Sequence, residues 1–192
     1  MNIFYLDRDP KQCAEWHIDK HVSKMLIEYA QLMSTAHRVL DGEQYTDLSK
    51  TGRKVKRWKL SNPNADNTIY LACHVNHPSA IWVRQSISHY NWLYNLWQEL
   101  HEEFKFRYGH SHSSFTLLCE LLKEAPTNMK DLGFTEPPQA MKEFPQCMVK
   151  NDSISAYKNF YREAKKSFAT WKGKVNGRPI PEWYSEYSYN QQ

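Results

Sequence analysis

Residues 9–42, DPKQCAEWHIDKHVSKMLIEYAQLMSTAHRVLDG, decide the architecture of this chain. Asp9 is placed to cap a helix that starts at Pro10, Gln12 can close a capping box, and Asp41-Gly42 supplies the stop. The pattern predicts one helix over about 10–41, roughly 45 Å long at about 1.5 Å per residue. Ile18, Val22, Met25, Tyr29, Leu32, Met33, Ala36 and Leu40 form its apolar stripe, and Ser23, Ile27, Ala30 and Ser34 form a flank small enough to admit a second element. Between them runs a polar stripe of His17, His21, Lys24, Glu28, Gln31 and Thr35. Covered on both flanks, that stripe lies in a cleft where burial beside opposite charge shifts pKa values. Left open, it is a solvated face with a Lys24–Glu28 pair at i,i+4.

Toward the N-terminus, Ile3 to Leu6 is a short apolar run that anchors the first residues in the core. Past Gly42 the composition changes. Residues 43–68 are polar and turn-rich, an exposed excursion in which Lys50, Arg53, Lys54, Lys56, Arg57 and Lys59 surround Trp58. Clustered bases beside an aromatic ring suit phosphate contact with a stacking or wedging side chain; the alternative is a solvated charged loop. Asn76-His77-Pro78 then starts a second helix over about 79–106, burying Trp82, Val83, Tyr90, Leu93, Tyr94, Trp97, Leu100 and Phe104, with Arg84 off that stripe. A short helix is expected over 115–123, followed by a Pro-rich irregular connection. A C-terminal helix over about 153–171 carries Ile154, Tyr157, Tyr161, Ala164, Phe168 and Trp171 inward and Lys158, Arg162, Lys165, Lys166 and Lys172 outward. An aromatic tail at 173–192 has no helical pattern and straps onto the core. The fold class is mainly α: a single compact helical domain over 1–192.

Aromatic residues are abundant, with seven Trp and twelve Tyr against six Gly, which favours large packed helices over a turn-rich sandwich. The formal net charge of +4 is too small to imply a nucleic-acid partner by itself, so the argument rests on where the charges sit. Cys13, Cys73, Cys119 and Cys147 are scattered and read as reduced, intracellular packing residues. No secretory segment or membrane-length apolar run occurs, so a cytosolic protein is expected.

Phosphate-loop, dinucleotide and nucleophile-elbow signatures are missing, which argues against those kinase and hydrolase classes. Two chemistries fit the polar stripe. In the first, His17, His21, His74 and His77 ligate zinc or iron with Glu28 nearby, although H-x-x-x-H without an intervening Glu specifies little geometry. In the second no cofactor is needed. Glu28 is the carboxylate of a base-excising enzyme, assisted by His17, His21 and Lys24, while Lys20 and Arg84 join the 53–58 cluster on phosphates. Lys20, Lys24 or a free α-amine of pKa near 8 would then form an imine.

The stretches HIDKHVSKM, NHPSAIWVRQS, FKFRYG, FTEPPQAM, AYKNFYREAK and PEWY resemble a family of small helical proteins from tailed phages. That resemblance covers nearly the whole chain and implies a viral protein acting in the host cytoplasm, without implying an activity. More distantly, the layout resembles the pyrimidine-dimer DNA glycosylases of the T-even phage endonuclease V type, which implies a buried N-terminus, a catalytic Glu on the first helix and an aromatic tail. Glu28, the helix entered through His77-Pro78, and Trp183-Tyr184 after Arg178-Pro179 match. Two features depart. Position 2 is Asn, before which Met1 is expected to stay, and the first helix carries Lys20 and Lys24 in place of an Arg cluster. The expected function is a DNA glycosylase with abasic-site lyase activity. The alternatives are a metal-dependent helical enzyme and a non-catalytic protein binding nucleic acid or a host factor.

Overall fold

The structure, a computed structural model, describes residues 1–189; the last three residues of the expected tail lie outside them. About 51% of the chain is helical, with one two-stranded sheet, so the class is mainly α. In chain order the elements are α1 (Pro10–Glu15), α2 (Asp19–Asp41), β1 (Glu43–Leu48), β2 (Lys54–Lys59), α3 (Pro63–Thr68), α4 (Pro78–Gln85), α5 (Ile87–Tyr108), α6 (Ser113–Leu122), α7 (Ser153–Ala164) and α8 (Glu182–Tyr189). Helix α2 packs against α4, α5 and α6, and α1 packs against α5. The core lies along these contacts. Trp97 is fully buried there, and its indole N–H donates to the Leu26 carbonyl at 2.8 Å, tying α5 to α2.

The long first helix is not continuous. It breaks at Trp16-His17-Ile18, and the carbonyls freed there are taken by remote donors: Glu15 and His17 by Arg107, and Trp16 by the Trp171 indole. Asp9 does cap α1 by accepting from the Gln12 amide, but the Asp9 amide donates to Asp7, so Gln12 does not close the box. The expected second helix is also interrupted, at Ser86. The Asp131 carboxylate, from the Pro-rich connection, accepts from the hydroxyls of Ser86 and Ser88 and from the Ser88 amide, giving α5 an N-terminal acceptor that its own sequence does not provide. All eight aromatic and aliphatic residues expected on the buried face of that segment are buried.

Other parts of the chain differ in detail from expectation. The C-terminal helix stops at Ala164, because residues 165–171 must carry Thr170 and Trp171 to the α1–α2 break, where the Thr170 carbonyl accepts from the Asp19 amide. The tail is partly helical, entering α8 through Pro181. The excursion over 43–68 comprises an antiparallel hairpin, β1 with β2, followed by α3.

One buried guanidinium joins these parts. Arg107 is 0% exposed; its Nε donates to Glu103 at 2.6 Å, Nη1 to Asp19 and the His17 carbonyl at 2.9 Å each, and Nη2 to the Glu15 carbonyl at 2.8 Å. Removing one partner of a buried charge pair leaves the others uncompensated, at a cost of about 3–5 kcal/mol. Arg107→Met is therefore expected to lower unfolding free energy by about that amount in urea titration, and a change below about 1 kcal/mol would show the node to be dispensable.

Candidate nucleic-acid interface and polar cluster

The hairpin leaves the C-terminal end of α2. Its turn runs from Ser49 to Arg53, with Gly52 at φ +76° supplying the left-handed residue. Strand pairing is Glu43 with Lys59, Gln44 with Trp58, Tyr45 with Arg57, Thr46 with Lys56, Asp47 with Val55 and Leu48 with Lys54. Because side chains alternate, Lys54, Lys56 and Trp58 share a face with Gln44, Thr46 and Leu48 and with no carboxylate. Arg57 and Lys59 share the other face with Tyr45, Glu43 and Asp47. Six cations from Lys50 to Lys59 stand against these two acids, and their excess of four equals the +4 of the whole chain. The rest of the molecule is thus charge-balanced. All of β1 is exposed, so this ribbon stands in solvent.

Arg38 secures its root. The guanidinium is 2% exposed and donates to the carbonyls of Trp58, Asp66, Ile69 and Tyr70 and to the Asp66 carboxylate. Asp66 is held below the usual carboxylate range by the Leu60 amide and by Arg38. Trp58 is half-buried at this root, and its backbone carbonyl accepts from Arg38. Arg38 was missed because an arginine reads as surface. Its signal is that it continues the flank of Ala30 and Ser34, four residues beyond a fully buried serine. Arg107 likewise continues the 3,4 spacing of Leu93, Trp97, Leu100 and Phe104.

The polar stripe of α2 divides. His17, 0% exposed, lies in the break between α1 and α2, its Nδ1 at 2.7 Å from the Cys13 carbonyl and its Nε2 at 3.0 Å from the Tyr29 hydroxyl. The carbonyl requires a proton on Nδ1. Nε2 therefore accepts from Tyr29, whose oxygen accepts in turn from the Phe4 amide. Desolvation depresses His17 to a pKa of about 4. His21 stacks on Phe4 and pairs through Nδ1 with the Tyr161 hydroxyl at 2.7 Å; burial, then the charges of His17 and nearby lysines, bring it down to about 2. Both imidazoles are neutral pieces of the core.

Further along α2, Lys24 Nζ lies 3.2 Å from Glu28 Oε1, the lysine exposed and the carboxylate half-buried. The turn from Cys73 to His77 closes over this stretch: Thr35 Oγ1 donates to the Cys73 carbonyl and accepts from the Cys73 amide. His74 sits at φ +48°, and the His77 amide donates back to the His74 carbonyl at 2.8 Å. His77 caps α4, its Nδ1 accepting from the Ser79 amide, so the neutral ring carries its proton on Nε2. Its pKa is lowered by burial and by the charges of the Met1 amino group and His74, against an upward pull from Glu28. Glu28, paired with Lys24, acts electrostatically on His77 beside His74, and these residues define a polar cluster; His17 and His21 are closed into the core by tyrosine hydroxyls, with His21 still within reach of the Lys24 charge. Among the described residues no group of three or more His, Cys, Asp or Glu is placed to hold a metal ion.

The other expected phosphate ligands are scattered. Lys20 is at the opposite end of α2 from the hairpin, its ammonium 4.6 Å from the Phe168 ring centre. Arg84 is turned to the carbonyls of Val75 and Ala80 and stabilises the same turn as Thr35. No helix among the described residues is long and apolar enough to cross a membrane. In comparison with known proteins, the chain matches no family model, no curated protein sequence and no solved structure.

The buried histidines have a thermodynamic signature. Above pH 6.5 they are neutral in both folded and unfolded chains; as pH falls below 6.5 the unfolded chain takes up protons that the folded state refuses down to about 4 for His17 and about 2 for His21. Stability is therefore expected to decline between pH 6.5 and 5 by up to about 1.4 kcal/mol per pH unit for each histidine. Urea midpoints measured across that window test this, and a flat profile would rule out the neutral core assignment.

Proposed function

We propose that the protein binds nucleic acid through the β1–β2 ribbon and processes a base at the Glu28 cluster, as a DNA glycosylase with abasic-site lyase activity acting in a phage-infected cell. The observation that carries this reading is the concentration of the chain's whole excess positive charge on one solvent-surrounded ribbon. A two-stranded ribbon fits the major groove of a duplex, and lysines unopposed by carboxylates release counterions from phosphates. Glu28 lies 14 residues before Gly42, so the polar cluster is about 20 Å along the α2 axis from the ribbon's root. In the chemistry, Glu28 serves as the acid–base carboxylate. Lys24, paired with it, supplies an amine that attacks the sugar C1′ as the bond to the base breaks and the base takes a proton from Glu28; the C1′–O4′ bond then opens, with O4′ taking the amine's proton, and an imine is left.

Replacing Lys54, Lys56 and Arg57 together by Gln is expected to weaken duplex binding and to reduce the slope of log affinity against log salt by about 2.7, near 0.9 per lost contact. Fluorescence anisotropy of a labelled duplex at several salt concentrations measures this; superimposable curves would remove the ribbon from the interface. For the chemistry, borohydride is added to protein on a duplex bearing an abasic site. The expected result is a covalent adduct mapping to Lys24, with Glu28→Gln slowing base release at least about 100-fold while DNA affinity holds. Binding without any adduct would favour the second reading, a non-catalytic nucleic-acid binder. That reading draws on His17 and His21 being neutral and turned into the core.

A further inference from the structure

A cleft of about 580 Å³ lies at the far end of α2 from the ribbon, between α1, α7 and the chain entering α8. Trp16 and Trp183 form two of its walls, with ring centres 5.8 Å apart at 67°, and Pro179 to Pro181 form another. Lys158 projects from α7 with its ammonium 4.6 Å from the centre of the Trp16 ring and 5.6 Å from that of Trp183.

The unfilled groups in this cleft are all donors. Lys158 is half-buried and, among the described residues, has no hydrogen-bond or ion-pair partner apart from the two indoles. The Trp183 indole N–H is buried without a hydrogen-bond acceptor among the described residues. Such a donor costs about 1–3 kcal/mol while it stays unpaired. Burial also lowers the pKa of Lys158, which means that its ammonium has lost hydration an anion would replace. The acids do not fill these needs. Glu15 is taken by Arg178 at 3.3 Å, Glu182 is exposed at the rim, and Asp7 and Asp152 act on Lys158 only at a distance. Arg178 remains 30% exposed on the same wall, and Arg162 stacks 5.6 Å from the Trp183 ring centre.

Indole faces, an ammonium without an anion and an indole N–H without an acceptor together describe a flat, acceptor-rich, anionic ligand. We infer that the Trp16–Lys158–Trp183 cleft is a nucleotide subsite, in which a base lies against the indoles and its phosphate pairs with Lys158 while an acceptor oxygen takes the Trp183 N–H. Lys158 now covers the ring faces, so it swings toward the phosphate as the base takes its place. The site uses neither the ribbon nor Glu28 and does not depend on the glycosylase reading.

Calorimetric titration of the intact protein with dTMP tests the inference, with thymidine and inorganic phosphate as separate probes. The expected result is saturable dTMP binding with Kd at or below about 1 mM and each fragment at least about tenfold weaker. Lys158→Met, which keeps an unbranched chain on the indoles, should weaken dTMP at least about tenfold, and Trp183→Phe, which keeps a ring and removes the N–H, at least about threefold. A thymidine trinucleotide that binds more tightly than dTMP would identify the source as a strand, and equal affinity would identify a free nucleotide. The protein with Lys54, Lys56 and Arg57 replaced should bind dTMP unchanged while losing duplex DNA, which keeps the two readings separable. No saturation by about 10 mM dTMP, or the same affinity in wild type and both cleft variants, overturns the subsite.

Discussion

A guanidinium withdrawn from water must find an acceptor for each of its donors, and Arg107 meets that demand by drawing residues 15–19 onto its own helix. It takes two backbone carbonyls from the break between α1 and α2, a carboxylate from the first turn of α2 and another from its own helix. Asp19 then uses its remaining capacity on Thr170, Lys172 and Gly173, and Glu103 uses its own on Arg178. The C-terminal chain is thereby tied to the start of the molecule by charge-assisted bonds. Gly173 belongs to this knot: its φ is +58°, and a side chain there would lie 2.0 Å from the Asn176 carbonyl oxygen. The Trp16–Lys158–Trp183 cleft is built on the same knot, since Arg178 and Glu15 form part of its wall.

Arg38 repeats the arrangement at the other end of α2, where it gathers four carbonyls and the Asp66 carboxylate. Its effect differs because the segments it gathers include the root of a ribbon with few other contacts. The ribbon projects, yet its base is held by a buried guanidinium. Helix α2 is thus pinned at both ends by buried arginines, with Glu28 between them and the ribbon and the Trp16–Lys158–Trp183 cleft at opposite ends.

What the sequence revealed follows from how far each determinant lies from the residue it governs. The buried faces of α2 and α5 were legible because a 3,4 spacing reports a helix face directly, and the Asp9 and His77 cap positions were legible because a cap and its helix are adjacent. The breaks at residues 16–18 and at Ser86 were not, because the groups that stabilise them, Arg107 and Asp131, lie about 90 and 45 residues away. The hairpin escaped notice because both of its faces are polar, so β1 and β2 lack the apolar alternation by which strands announce themselves. In the candidate site, residue type alone could not separate His17 and His21, closed into the core by tyrosine hydroxyls, from His74 and His77, which border Glu28.

A sheet of two strands consists entirely of edges. The outward N–H and C=O groups of β1 and β2 have no neighbouring strand, and such a ribbon is a template onto which another chain can add. Lysine at Lys54, Lys56 and Lys59 opposes that addition, because a second ribbon approaching in register would bring like charges together. The charges that suit this arm to a polyanion therefore also keep copies of the protein apart, and a bound strand of nucleic acid, by neutralising them, would permit neighbouring ribbons to meet.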